Sequence, residues 1–247
     1  PVENRLSELW SIFDFLMPGF LFSYPKFREN FEIPIQRGDD PGKLERLHRM
    51  IAPFLLRRLK KDVLKELPEK TETVVYTAME GEQKRLYQAN AQGLINTLTS
   101  LEGEDLEEDR FQILAKLTRL RQICCDPRLC YDNYRKESAK LETCMSIVLP
   151  AVEGGHQILI FSQFASMLEL IGERLKGEKI DFVELTGQTK REQRGEAVRR
   201  FQEEKVPVFL ISLKAGGTGL NLTAADIVIH YDPWWNVAAQ NQATDRA

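Results

Sequence analysis

Four short apolar runs in the second half of the chain constrain its fold most. They are "QILIFS", "IDFVEL", "VPVFLIS" and "DIVIHY", and they lie within residues 157–231. Helical patterns separate the first three. Met167, Leu168, Ile171 and Leu175 recur at helical spacing, and a charged amphipathic stretch runs from Lys190 to Glu204. Runs this short and this uniformly apolar suit strands buried on both faces. Strands that alternate with helices predict a parallel sheet with helices on either side, an α/β class. Right-handed crossovers then bring the carboxyl end of every strand to one edge.

The first half reads differently. In "NRLSELWSIFDFLMPG", Leu6, Leu9, Trp10, Phe13, Leu16 and Met17 share a helical face, and Pro18-Gly19 stops the helix. An aromatic connector leads to "KLERLHRMIAPFLLRRLKKDVLKELPEK", which Pro53 divides and Pro68 ends. Within it, Arg57 to Lys61 form a basic cluster suited to a solvated helix face. Thr71 to Met79 have the β-branched content of a strand. Two amphipathic helices follow, one carrying Leu86, Leu94, Ile95, Leu98 and Leu101, the other Phe111, Leu114, Leu117 and Leu120. The acidic "EGEDLEEDR" between them reads as an exposed loop, and Cys124 to Ser138 as a linker. A helix from Lys140 to Leu149 introduces the α/β part.

In an open parallel sheet, ligands bind beyond the carboxyl ends of the strands. Those ends carry Ser162-Gln163, Thr186-Gly187-Gln188-Thr189, Ser212-Leu213-Lys214, and Asp232 to Asn236. Hydroxyls, amides, backbone N–H groups and one lysine are what hold phosphate oxygens without reading base sequence. The adjacent Trp234 and Trp235 could pack on sugars or bases, or anchor the core.

The glycines after "VFLIS" form no phosphate cradle. "AGGTGLNL" has no lysine after its last glycine, so it is not a P-loop, and Leu222 occupies the third glycine position of the dinucleotide fingerprint. No strand followed by Asp-Glu offers a Mg²⁺ site. The chain alone therefore carries no self-sufficient nucleotide-hydrolysing site. Near the end, Gln242 and Arg246 lie four residues apart on one helical face. Arg246 is either a solvated surface residue or an arginine finger, a cation offered to a phosphate bound mainly by another domain.

A formal net charge of −3 confines any nucleic-acid binding to a local patch. Cys124, Cys125, Cys130 and Cys144 form no metal-ligand spacing with His48, His156 or His230, so no zinc site is expected. Four free thiols suit a reducing compartment: cytoplasm, nucleoid or nucleus. No apolar run reaches the ~18 residues of a membrane span, and no signal-peptide pattern is present. A start already at a helix and an abrupt "QATDRA" suggest a piece of a longer protein.

Several of these stretches resemble the Swi/Snf-type ATPases, DNA translocases of the superfamily-two helicase class. "ILIFSQF" is similar to motif IV of that family, "SLKAGGTGLNLTAADIVIHYDPWWN" to motif V and "QATDRA" to the first part of motif VI. "ELTGQTKREQRGEAVRRFQ" resembles the block that reads L-x-G-x-T, and "PVEN" resembles the end of motif III. "APFLLRRLKKDVLKELPEK" and "LRQICCDP" resemble the blocks between the lobes.

The resemblance implies two RecA-like lobes with ATP and Mg²⁺ in the cleft between them. It divides the chain into the end of the first lobe with a helical protrusion (1–80), a further protrusion and linker (81–137), and most of the second lobe (138–247). It implies that Gly219, Asn221, Gln242 and Arg246 face nucleotide, with Arg246 the catalytic arginine. Gln163, Thr186, Gly187, Ser212, Lys214 and Trp235 would face double-stranded DNA. Trp234 stands where the family often has an acidic residue, and packing is its expected role. A DNA-bound protein target is a further implied partner. A strand-separating helicase lobe and a non-catalytic α/β binding module are the alternative readings.

Overall fold

The computed structural model describes residues 5–38, 40–56, 70–100, 106–136, 138–213, 215, 220–235 and 237–244. The chain divides into two compact units, Pro1–Val74 and Val75–Ala247.

The first unit is helical. Helices α1 (Leu6–Leu16), α2 (Tyr24–Phe27), α3 (Ile33–Arg37) and α4 (Pro41–Ile51) enclose Leu9, Phe13, Leu21, Phe27, Phe31, Leu47 and Ile51. The buried stripe of α1 is narrower than its spacing predicts, because Leu9 and Phe13 are buried whereas Leu16 is exposed. The helix ends before Pro18, and Gly19 takes a left-handed φ of 81°. Helix α4 ends at Ile51, so Pro53 falls in the 3-10 turn Ala52–Phe54. The basic cluster Arg57 to Lys61 and Pro68 lie outside the described residues.

In the second unit, α5 (Gly81–Ser100) pairs with α6 (Leu106–Cys125). They precede α7 (Ala139–Glu153), β1 (Ile158–Ser162), α8 (Ala165–Gly177), β2 (Phe182–Leu185), α9 (Arg191–Glu203), β3 (Val208–Ser212), β4 (Ile227–His230) and α10 (Val237–Thr244). The four strands run parallel in the order β2-β3-β1-β4. β1 and β3 are buried at every position, as their apolar runs predict. Alternate residues feed two separate cores. Ile158, Ile160, Val208 and Leu210 pack with α7 and α8 on one face. Leu159, Phe161, Phe209 and Ile211 pack with Ala197 and Phe201 of α9 and Ala243 of α10 on the other.

Three local expectations change. Thr71 to Met79 have no ladder partner among the described residues, and Val74, Val75 and Tyr76 are exposed. β-branched content favours a pleated surface but supplies no neighbouring strand. The acidic loop is shorter than expected, since α6 begins at Leu106; a helix N-terminus is a favourable place for acidic residues.

The stretch from Cys124 to Ser138 is also no loose linker. Asp126 is fully buried, and its carboxylate accepts from Nε (2.9 Å) and Nη2 (2.8 Å) of Arg128. The carbonyls that α6 leaves unpaired at its end find partners elsewhere. Gln83 Nε2 donates to Ile123 O (2.9 Å), while Ser138 Oγ (2.8 Å) and Tyr231 Oη (3.0 Å) both donate to Cys125 O. Ser138 Oγ also caps α7 by accepting from Leu141 N at 3.2 Å.

All four cysteines are free thiols. Burial pushes the thiols of Cys125 and Cys144 up to about 12, which keeps them protonated and poorly nucleophilic near neutral pH. Iodoacetamide at pH 8 is expected to leave both unmodified in the folded protein and to modify both in urea. Mass spectrometry of tryptic peptides checks this, and equal labelling with and without urea would contradict the packing. Ser138→Ala is expected to cost about 1–2 kcal/mol in urea unfolding, as lost helix caps do.

Candidate functional site

The sheet order places the strand ends in the row Leu185, Ser212, Ser162, His230. Ser162 and Ser212 are register partners at the ends of adjacent strands. The chain leaves them in opposite directions. After β1 it enters α8 on one face, and after β3 it passes through Ala215, Leu222 and Ala225 on the other. The edge beyond such a divergence is the usual ligand position in a sheet of this kind.

At that edge, Asp232 organises the ends of β1 and β4. Its side chain is 3% exposed and accepts from Gln163 N at 3.2 and 3.1 Å. Burial raises its carboxyl above the ordinary range, opposed by hydrogen bonds from Ser162 and Gln163 N and by the charges of Lys140 and Arg121. Ser162 Oγ, itself buried, also accepts from Phe164 N at 3.1 Å. The turn out of β1 is therefore fixed by a carboxylate from just beyond β4 and a hydroxyl from β1.

Arg121 reaches the same place from α6. Its Nη1 donates to Gln163 Oε1 (3.1 Å), its Nη2 donates to Pro233 O (2.8 Å), and Nη2 lies 3.9 Å from Asp232. The guanidinium also sits 5.0 Å from the Trp235 ring centre, 5.6 Å from Trp234 and 5.9 Å from Phe164. The two indoles stack at 6.2 Å with 11° between their planes. Trp234 is half-buried and its N–H donates to Gln240 Oε1 (3.2 Å), whereas Trp235 is 58% exposed. Trp234 thus packs against Trp235 and Arg121. A shallow depression of about 190 Å³ adjoins them, lined by Tyr87, Leu117, Leu120, Arg121, Cys124 and Trp235.

At the end of β2, Thr186 N donates to Thr189 Oγ1 (2.9 Å) and Thr189 N to Thr186 O (3.2 Å), closing a tight turn. Gly187 in that turn is exposed, has no left-handed φ, and a Cβ there would meet nothing within 4 Å. Ser212 is 5% exposed and its Oγ accepts from Ala215 N at 3.2 Å, so its hydroxyl shapes the loop after β3. Asn221 is exposed, and its carbonyl accepts from Gln202 Nε2 (2.8 Å). The structure thus brings Gln163 and Trp235 together through Arg121, with Thr186, Gly187 and Ser212 along the same edge. Lys214, Gly219 and Arg246 lie outside the described residues, and Gln242 is described only as part of α10. Among the described residues no group of three or more His, Cys, Asp or Glu could hold a metal ion.

Sequence reasoning missed the roles of Arg121 and Asp232. Arg121 had a signal: it follows Leu114, Leu117 and Leu120 on the apolar side of α6, where a cation needs a partner. Asp232 had less, because its partners are 69 residues away in sequence.

The SNF2-related domain matches residues 1–129, and the helicase conserved C-terminal domain matches residues 139–247. The chain belongs to the SNF2-related family. Its α/β unit is a RecA-like lobe of the kind found in SWI2/SNF2 ATPase cores. A Sulfolobus solfataricus SWI2/SNF2 ATPase core solved in complex with dsDNA is 37% identical, with a TM-score of 0.63 over 100% of this chain and 52% of that one. The candidate ATP-dependent helicase/translocase YwqA of Bacillus subtilis is 41% identical over 257 residues, and the human DNA excision repair protein ERCC-6 is 32% identical over 279. Both alignments cover 100% of this chain, which spans only 27% and 18% of those relatives.

In this SNF2-related chain, Asp232→Ala would leave the Gln163 N–H without its acceptor and Arg121 without its carboxylate neighbour. Urea unfolding is expected to show a loss of about 1–3 kcal/mol, the range for a buried polar group deprived of its partner. A loss within experimental error would mean that the carboxylate does not hold this edge together.

Proposed function

We propose that the chain is the C-terminal part of an ATP-dependent motor that moves along double-stranded DNA without separating the strands. The observation that carries this reading is the carboxyl edge, where amide, hydroxyl and backbone groups from several strand ends lie with an exposed indole. Gly187 adds support, because neither packing nor backbone conformation asks for glycine there, whereas close approach of a phosphate backbone would. The likeness to a core solved with dsDNA agrees with it.

In this reading residues 1–80 end the first lobe, 81–137 are protrusion and linker, and 138–247 form most of the second lobe. Gln163, Thr186, Gly187, Ser212, Lys214 and Trp235 line the duplex. Gly219, Asn221, Gln242 and Arg246 face ATP, whose bound form supplies the phosphoryl group to be transferred. Arg246 stabilises the charge that develops on that group, a role worth about 10³-fold or more in rate. The loop after β3 carries residues of both sets, so it couples nucleotide state to DNA grip. A DNA-bound protein as target and an intracellular setting fit the same reading.

ATP turnover of the intact protein, with and without a duplex of mixed sequence, tests the proposal. Stimulation by duplex that falls steeply with added salt and varies little with sequence is expected. Turnover indifferent to DNA would overturn it. Arg246→Ala is expected to abolish turnover while leaving duplex binding intact, and Lys214→Ala to reduce DNA stimulation more than basal turnover. The chain alone, lacking a P-loop and an Asp-Glu pair, is expected to hydrolyse no ATP.

A further inference from the structure

Arg121 makes more contacts with the carboxyl edge than a helix anchor requires. Its guanidinium can only donate hydrogen bonds. Its bond to Gln163 therefore settles which way that amide points: Oε1 faces Arg121, and the two N–H donors of Nε2 face away from it. Its other nitrogen holds the Pro233 carbonyl, one residue before the Trp234–Trp235 pair, and its central carbon lies 5.6 and 5.0 Å from the two indole centres. Only 19% of its side-chain surface is exposed, so its contacts are made within the protein. One side chain thus fixes two things that follow different strands: an amide with both donors turned away from the arginine, and an indole that is largely exposed.

We infer that Arg121 is a positioning residue that presents the Gln163 amide donors and the Trp235 ring together as one gripping unit for the phosphate backbone of a duplex. This inference rests on the DNA-motor reading above. The chemistry suits a phosphate oxygen, an acceptor with no donor of its own, and an amide turned the other way would offer that oxygen its carbonyl instead. Lysine cannot replace the arginine. Its ammonium is a compact point charge without a planar fork to hold Gln163 and Pro233 at once while lying across two rings.

The test uses the intact protein with a short duplex of mixed sequence, reading half-saturating DNA concentration and maximal turnover separately. Wild-type stimulation by the duplex must be present first; its absence would refute the DNA-motor reading rather than this inference. With stimulation present, Arg121→Lys is expected to raise the half-saturating concentration about tenfold, the factor carried by one lost contact of roughly 1.4 kcal/mol. Maximal turnover should stay near wild type, and thermal stability should fall only modestly, because the guanidinium's contact with Pro233 O is lost. Gln163→Met, similar in size but without donors, should give a comparable rise. The double variant should be worse than Gln163→Met alone by less than the full Arg121→Lys loss, because Arg121 acts partly through the amide and partly through the indole. A merely structural Arg121 would lower thermal stability and maximal turnover while leaving half-saturation unchanged. That result, or losses that multiply in the double variant, would overturn the inference.

Discussion

The end of helix α6 is the fixed point of the second unit. Helices normally leave their last carbonyls to water, yet here Cys125 O accepts from both the cap of α7 and a tyrosine just beyond β4. One turn earlier, Arg121 is bound to the turns after β1 and β4. The pair of buried Asp126 and half-buried Arg128 closes the segment that follows. Buried pairs of this kind gain little net stability, but breaking one is costly, so they suit a joint whose geometry must not drift. The helical hairpin and the sheet edge are thereby joined through polar contacts with defined directions rather than through apolar packing alone.

This joint gives the carboxyl edge its character. Apolar β1 and β3 form a rigid floor, and the chain departs from them on opposite faces. Asp232 and Ser162 then fix the turn out of β1, and Arg121 orients the side chains that emerge from it. Placing binding groups on loops over a rigid sheet is common; immobilising them from a helix on a different segment is less so. It makes the exposed indole and the amide respond as one body to any movement of α6.

Much of this was legible in the sequence, for definite reasons. Uniformly apolar runs such as "ILIFS" can only be buried, so the parallel sheet and its two helical layers follow from composition and spacing. The strand ends follow from the crossover rule. What escaped detection depends on long-range partners. Asp232 looked like a polar strand-end residue because nothing local reveals Gln163 as its donor. The Cys124–Ser138 stretch had a proline and polar residues, which read as a linker, but its polar groups turned inward to finish α6 and start α7. Thr71 to Met79 erred in the other direction, since propensity cannot supply a missing neighbour strand. Gln163 and Trp235 were marked by their positions beyond strand ends, while the arginine that unites them was marked only by a cation on the apolar side of a helix.

The central claim is that the carboxyl edge of this sheet is the surface that holds duplex DNA. Hydrogen exchange of the intact protein with and without a duplex measures it directly. The account predicts slower exchange on DNA binding at residues 162–164, 186–189 and 231–235, with the opposite edge at 154–157, 178–181 and 205–207 unchanged. Protection confined to that opposite edge, or none at the carboxyl edge in a DNA-saturated sample, would contradict it.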